Sequence, residues 1–260
     1  MMHGGIAFDD IGAGAPVVFL HAFALDRSMW APQTSALAAR YRCISIDFRG
    51  SGESSPPPPY SMDLYADDVA AVLDTRGVAR ATIVGLSMGG YAAFALWRRH
   101  RERVRALVLA DTRPAADTGE GLTRRKDLIA AARSEGSSGV ADRQVPALLG
   151  KTTRERHPEI AKLVHATMSR TPVEGIIGQL EAMMARPDSR PTLETINVPT
   201  LVIVGDEDAV TPTKEARPMH EAIKGSRFEI IAQAGHLSNL ERPAAFNTAL
   251  SELLTALEAD

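Results

Sequence analysis

Six short runs of apolar, largely β-branched residues punctuate the chain: PVVFLH (16–21), RCISID (42–47), ATIVGL (81–86), VRALVLA (104–110), PTLVIVG (199–205) and SRFEIIA (226–232). Their apolar character is nearly continuous instead of strictly alternating, the pattern of strands covered on both faces. Between them the apolar spacing switches to a helical period. SMDLYADDVAAVLDTRG sets Leu64, Tyr65, Val69, Val72 and Leu73 at helical spacing behind Ser61, a good N-cap. RPAAFNTALSELLTALEAD repeats the pattern with Phe246, Leu250, Leu253, Leu254 and Leu257. Strand, helix and strand in succession predict an α/β fold, a mostly parallel sheet with right-handed crossovers and flanking helices.

The rhythm breaks after the sequence VRALVLA. From 114 to 195 helical patterns follow one another without a convincing strand, and Thr171-Pro172-Val173-Glu174 reads as a helix start. There Thr171 would be the N-cap, Pro172 the first helical residue and Glu174 the partner in a capping box, opening a helix that ends near Pro187. The expected organisation is a core of residues 1–113 and 196–260 with a helical cap, 114–195, set on top of the sheet. Charges in the cap nearly cancel and carry no message about substrate charge. Pro56 to Pro59 read as a stiff surface loop.

Composition narrows the partners more than the fold. A chain of 260 residues with 45% apolar content suits one large domain or a domain carrying an insertion. Its charge of −3, from 29 basic and 32 acidic residues spread along the chain, offers no basic block for a row of phosphates, so nucleic acid is not an expected partner. Cys43 is the only cysteine, and in CISID it reads as a small buried strand residue in a protein of a reducing compartment. MMHGGIAFDD lacks the basic start and apolar core of a signal peptide, and no run approaches the ~18 apolar residues of a membrane span. A cytoplasmic protein without a membrane partner is expected.

The chemistry is concentrated in ATIVGLSMGG (81–90). A G-x-S-x-G between a strand and a helix is a nucleophile elbow, a turn too tight for side chains beside its serine. Gly85, Gly89 and Gly90 clear that space and hold Ser87 at the start of a helix, where N–H groups favour developing negative charge. A serine hydroxyl needs a histidine base and an orienting acid, in the chain order serine, acid, histidine. PTLVIVG runs into Asp206, Glu207 and Asp208, and the loop QAGHLSNLE after the last strand carries His236.

These features together resemble the α/β-hydrolase family with a short helical cap, and nearly the whole chain fits. The resemblance implies that the acid closes a G-x-x-D, mapping Gly205-Asp206-Glu207-Asp208 onto Asp208 and leaving Asp206 and Glu207 as turn-forming or solvated. Some members take the acid from the preceding strand end, which makes Asp111 the competitor. FLHAFALDRSMW is similar to the family's oxyanion loop, and by that match the backbone N–H groups of Phe23 and Met88 hold the oxyanion. Ala22 stands where relatives carry glycine and would be strained by about 1–2 kcal/mol if φ there were positive. His21 reads as structural, tying the loop by a hydrogen bond, and the G-x-G of DFRGSGES (47–54) as a tight turn.

Other motifs fall away. GKT (150–152) would need glycine at 145, where Val145 stands, to make a phosphate loop. No H-E-x-x-H or paired cysteines call for a metal, and no cofactor is implied. Met168, Met183 and Met184 read as packing rather than pocket lining. GLSMGGY, the small cap and ARPDSRPTL are similar to bacterial 3-oxoadipate enol-lactonases and small carboxylesterases. That likeness implies an acyl-enzyme hydrolase of a small ester or lactone, with a homo-oligomer left open. The same three residues would also serve perhydrolysis of the haloperoxidase type, cyanohydrin cleavage or thioester hydrolysis. A fold of this kind can instead bind a ligand and signal to a partner, which HAF followed by DRSMW also resembles.

Overall fold

The six predicted runs form six parallel strands in the computed structural model, which describes residues 1–54 and 58–259. Five are buried along most of their length, whereas the sixth, SRFEIIA, lies at the sheet edge and is not covered on both faces, with Arg227 and Ile230 exposed. In chain order the first half comprises β1 (Met2–His3), β2 (Ile6–Ile11), β3 (Ala15–Leu20), α1 (Ala31–Leu37), β4 (Tyr41–Ile46), α2 (Met62–Thr75), β5 (Ala81–Leu86), α3 (Met88–His100) and β6 (Val104–Ala110). Five helices follow: α4 (Gly119–Leu148), α5 (Lys151–Arg156), α6 (Pro158–Arg170), α7 (Val173–Met184) and α8 (Arg190–Leu193). The chain closes with β7 (Thr200–Gly205), α9 (Thr213–Ala222), β8 (Arg227–Ile231), α10 (Ser238–Glu241) and α11 (Pro243–Ala259). Pro56 and Pro57 of the proline run lie outside the described residues.

The sheet order is β1-β2-β4-β3-β5-β6-β7-β8, with only β1 and β2 antiparallel to their neighbours. Helix α3 packs over β3, β5 and β6, and α2 packs against α3. The helical residues singled out from the sequence behave as expected. Ser61 accepts a hydrogen bond from the Leu64 N–H at 3.1 Å, and Phe246, Leu250, Leu253, Leu254 and Leu257 are all buried. Cys43 is buried in β4, and burial pushes its thiol up to about 12. Met168 and Met183 lie in the apolar core, with Met184 packed against it.

Two other features depart from the sequence reading. The run IAFDDI forms β2, a strand that the six apolar runs do not include, with Asp9 exposed and Asp10 half-buried. At the antiparallel edge Asp10 takes a bidentate contact from Arg42 on β4 and another from Arg76, so ion pairs replace apolar cover. Helix α7 begins at Val173, one residue later than a Thr171 cap requires, and its N-terminus has no side-chain cap. The Thr171 hydroxyl is spent on Ala24 instead. The helix also ends at Met184, short of Pro187.

Between β6 and β7 the helices pack on one another, α4 against α6 and α7, with α4 broken at Gly136 (φ 72°). One carboxylate ties both ends of this segment. Asp117 contacts Arg125 at 2.5 Å, Arg186 at 2.9 Å and Arg113 at 3.5 Å, while the Arg186 guanidinium lies 4.1 Å from the Tyr91 ring centre. Burial works to raise the Asp117 carboxyl, but Arg125 and Arg186 outweigh it and hold it at about 2. No helix among the described residues is long and apolar enough to cross a membrane.

The Asp117 side chain is 1% exposed and that of Arg186 3%, so removing one partner strands a buried charge. Asp117→Ala should lower unfolding free energy by about 3 kcal/mol in urea titrations. In the unmodified protein the depressed pKa means this stabilisation is present above 3.8 and is lost as pH falls toward 2. An Asp117→Ala protein with unchanged urea midpoint would refute the latch.

Candidate active site

Ser87 joins β5 to α3 at φ 54° and ψ −112°, a backbone state that costs a non-glycine residue about 1–3 kcal/mol. Close approach explains the glycines around it. A Cβ on Gly85 would overlap the Gly89 carbonyl, one on Gly89 the Leu20 carbonyl, and one on Gly90 the Thr112 side chain. Neighbouring β6 holds the turn: the Ser87 N–H donates to the Ala110 carbonyl at 2.9 Å, and the Thr112 hydroxyl donates to the Ser87 carbonyl at 2.8 Å.

Three of the sequence-predicted residues meet in one hydrogen-bonded line. His236 Nε2 lies 2.7 Å from Ser87 Oγ, and its Nδ1 lies 2.9 Å from Asp208 Oδ2. The carboxylate fixes the tautomer, because Nδ1–H donates to it and leaves Nε2 free to accept the serine proton. Asp208 is surrounded by donors: Oδ1 accepts from the Val210 N–H at 2.7 Å and the Thr211 N–H at 2.9 Å, and Oδ2 accepts the Thr211 hydroxyl at 2.7 Å. Burial pushes the Asp208 carboxyl up, yet the His236 charge and these hydrogen bonds hold it at about 2. For His236 burial opposes the charge, and the Asp208 carboxylate, with help from Asp111 and Glu241, still keeps it above its ordinary 6.5.

Asp111 makes no hydrogen bond to the imidazole. Its Oδ1 accepts from the Gly205 N–H at 2.9 Å and its Oδ2 from the Ser238 hydroxyl at 2.5 Å and N–H at 3.3 Å, joining the loops that carry Asp208 and His236. Complete burial and the nearby Asp208 push it up to about 8. Glu207 lies in the turn after β7, as expected, and its side chain also accepts from the Thr152 N–H and hydroxyl, tying α5 to that turn.

The loop after β3 is also ordered by local bonds. Ala22 does not have a positive φ; the left-handed residue is Ala24, at φ 55°, so the strain falls two positions beyond the expected one. His21 is buried and neutral by its contacts, with Nδ1–H donating to the Ala22 carbonyl at 2.7 Å and Nε2 accepting the Phe48 N–H at 3.0 Å. Burial pushes its pKa down, consistent with a structural role. Phe23 follows β3 and Met88 opens α3 after β5, two adjacent parallel strands. Among the described residues neither backbone N–H donates to another protein group.

Two contributors escaped the sequence reading. Thr211 stands three residues after Asp208, a side-chain turn signal that could have found it. Glu241 is 3% exposed and accepts from the N–H groups of Gly235, Leu237 and Gly150 at 3.0, 3.1 and 2.8 Å, fixing the loop around His236. In NLERP it looks like an ordinary helix-surface charge, and nothing local marks it. Among the described residues no group of three His, Cys, Asp or Glu has the arrangement of a metal site.

Comparison with known proteins adds names to this geometry. The profile of the alpha/beta hydrolase fold family matches residues 15–243. The chain is 31% identical over 239 residues to 3-oxoadipate enol-lactonase 2 of Acinetobacter baylyi, spanning 92% of this chain and 88% of that one. A thermophilic esterase from Thermogutta terrifontis superposes with a TM-score of 0.94 at 37% identity, over 97% of this chain and 93% of that one. A bromoperoxidase from Bacillus anthracis superposes with a TM-score of 0.87 at 27% identity, over 96% and 95% of the two chains.

The electrostatics can be read directly by NMR of the imidazole. His236 should titrate above 6.5 in the unmodified protein. Asp208→Asn should carry it below 6.5, because burial then acts with little opposition, whereas Asp111→Asn should produce a smaller fall. Equal falls, or a larger one in Asp111→Asn, would show that the earlier strand end supplies the partner charge.

Proposed function

The chain belongs to the α/β-hydrolase family, and from that premise we propose that it is a serine hydrolase of small carboxylic esters or lactones, with Ser87, His236 and Asp208 as its triad. The observation that carries the reading is the continuous line from Ser87 Oγ through His236 to Asp208, at 2.7 and 2.9 Å. Similarity to an enol-lactonase and an esterase supports the substrate class. The helical segment 114–195 serves in this reading as the cap over the site.

His236 Nε2 takes the Ser87 proton as Oγ attacks the ester carbonyl, and the oxyanion is held by the N–H groups of Phe23 and Met88. Asp208 stabilises the imidazolium that forms. The imidazolium then gives its proton to the leaving oxygen as the C–O bond breaks, leaving an acyl group on Ser87. Water enters, loses a proton to His236 and attacks the acyl carbonyl, after which the proton returns to Ser87 and the acid departs. Asp111 contributes by holding the acid and base loops together. Similarity to a bromoperoxidase favours a second reading, perhydrolysis, in which hydrogen peroxide replaces water in the deacylation step and the product is a peracid.

Short-chain nitrophenyl esters and γ-lactones should be hydrolysed, with phenylmethylsulfonyl fluoride adding mass to the Ser87 peptide. Ser87→Ala should remain folded with almost no turnover, and an adduct on another serine would overturn the assignment. Turnover requires neutral imidazole, so kcat/KM should fall on acidification through a pKa above 6.5. Asp208→Asn should cost on the order of 10⁴ in kcat. Asp111→Asn should cost far less, and the reverse ranking would exchange the two carboxylates. Peracid formation outrunning hydrolysis in dilute peroxide would favour the second reading.

A further inference from the structure

Ala22 to Leu25 form a tight turn in which the Leu25 N–H reaches the Ala22 carbonyl at 3.2 Å and Ala24, the third residue, takes φ 55°. That position normally belongs to glycine, and alanine there is strained by its Cβ. The turn matters because the Ala22 carbonyl and the Phe23 N–H share one planar trans peptide and point in opposite directions. Whatever fixes the carbonyl aims the N–H. His21 Nδ1–H and the Leu25 N–H both hold that carbonyl, and the second of these bonds closes the turn in which Ala24 is left-handed.

Both backbone polar groups of Ala24 are taken by side chains from the helical segment. Its N–H donates to Oε1 of Gln179 on α7 at 2.9 Å, and its carbonyl accepts the Thr171 hydroxyl, just before α7, also at 2.9 Å. Gln179 is fully buried and Thr171 is 3% exposed. Each is fixed in turn: Gln179 Nε2 donates to Ser51 Oγ at 2.7 Å, and the Thr171 carbonyl accepts the Ser137 hydroxyl at 2.5 Å. Gly175 lets α7 come against the Gly50 backbone, where a Cβ would collide.

We propose that Gln179 and Thr171 are positioning residues for ester cleavage, clamping Ala24 in its left-handed conformation so that the Phe23 N–H is aimed at the oxyanion. The inference rests on the reading of Ser87 as nucleophile and Phe23 as oxyanion donor. Without the clamp Ala24 relaxes toward negative φ, the peptide between Phe23 and Ala24 turns over, and the loop that carries the Phe23 N–H loses its two ties to the helical segment. The oxyanion then loses a well-placed donor while substrate binding and His236 are little changed.

Gln179→Met removes the acceptor at similar volume, and Thr171→Val removes the hydroxyl. Each should lower kcat on a short-chain nitrophenyl ester by about 10- to 100-fold, somewhat less than outright loss of an oxyanion donor, with KM within about threefold. The acid limb of the pH profile should stay where it is. Gln179→Glu should restore most of the rate, since a neutral carboxyl in that pocket presents a carbonyl to Ala24 and a hydroxyl to Ser51. Adding Ala24→Gly to Gln179→Met should recover about tenfold, because glycine holds positive φ without the clamp. Thermal unfolding of every variant separates folding from rate, and Thr171→Val carries the test if Gln179→Met does not fold. Wild-type kcat in folded Gln179→Met or Thr171→Val, or a loss that neither Gln179→Glu nor Ala24→Gly relieves, overturns the positioning role. Turnover surviving in Ser87→Ala would instead overturn the serine-hydrolase reading beneath it.

Discussion

A serine backbone at φ 54° relaxes unless its neighbours prevent it, and the carboxyl edge of the sheet is arranged around that constraint. The N–H of Ser87 is held by the last residue of β6 and its carbonyl by Thr112, so the elbow exists only while β5 and β6 are paired in this register. The turn also brings α3 so close to β3 that Gly89 faces the Leu20 carbonyl without room for a Cβ. Small residues at the elbow are therefore a packing consequence of the strained serine. In return, Ser87 stands at the N-terminus of α3 with the first N–H groups of the helix near its hydroxyl. The next strands outward, β7 and β8, carry Asp208 and His236 into reach.

Two buried carboxylates stand near one imidazole, and donors decide which of them carries charge. Asp208 has four donors around its two oxygens, counting Nδ1–H of His236. Asp111 has three, all from the loops it joins, and none is the imidazole. With Asp208 ionised, a second charge in the same dry space is repelled as well as desolvated, and Asp111 is pushed up while Asp208 is held down. Asp111 accepts from the Gly205 N–H and from the N–H and hydroxyl of Ser238. Its value to the site is mechanical, since it couples the β7 and β8 loops without competing for the imidazole.

What was legible in the sequence was whatever local pattern determines. Continuous apolar runs located the six parallel strands, and the spacing of glycines around Ser87 located the elbow, because sterics alone demand it. The order serine, acid, histidine left several acids open, and the family resemblance chose Asp208, which now lies in hydrogen-bonded line with His236 and Ser87. What local pattern cannot carry is a side chain whose partner lies far along the chain. IAFDDI was hidden because the cover of Asp10 comes from Arg42 and Arg76. Thr171 looked like a helix cap until Ala24, 147 positions away, claimed its hydroxyl. In the loop after β3 positive φ falls at Ala24 and not at Ala22, a shift that only the turn closed by the Leu25-to-Ala22 bond reveals.

These distant contacts share a direction. From the helical segment Gln179 and Thr171 reach Ala24, the Leu148 carbonyl accepts the His236 N–H at 2.9 Å, and Gly150 and Thr152 donate to Glu241 and Glu207. The loops after β3, β7 and β8 are thus bonded to helices that precede β7 in the chain. Backbone groups buried in this way cost about 1–3 kcal/mol each when left unpaired, so displacing the segment as a body would strand several of them together. The bonds reach the backbone of His236 itself and of the residue beside Phe23, not merely peripheral side chains. The conformation of the site and the seating of α4 and α7 therefore form one mechanical problem, in which a packing change at the Gly50–Gly175 contact is passed to the loop after β3 through two hydrogen bonds.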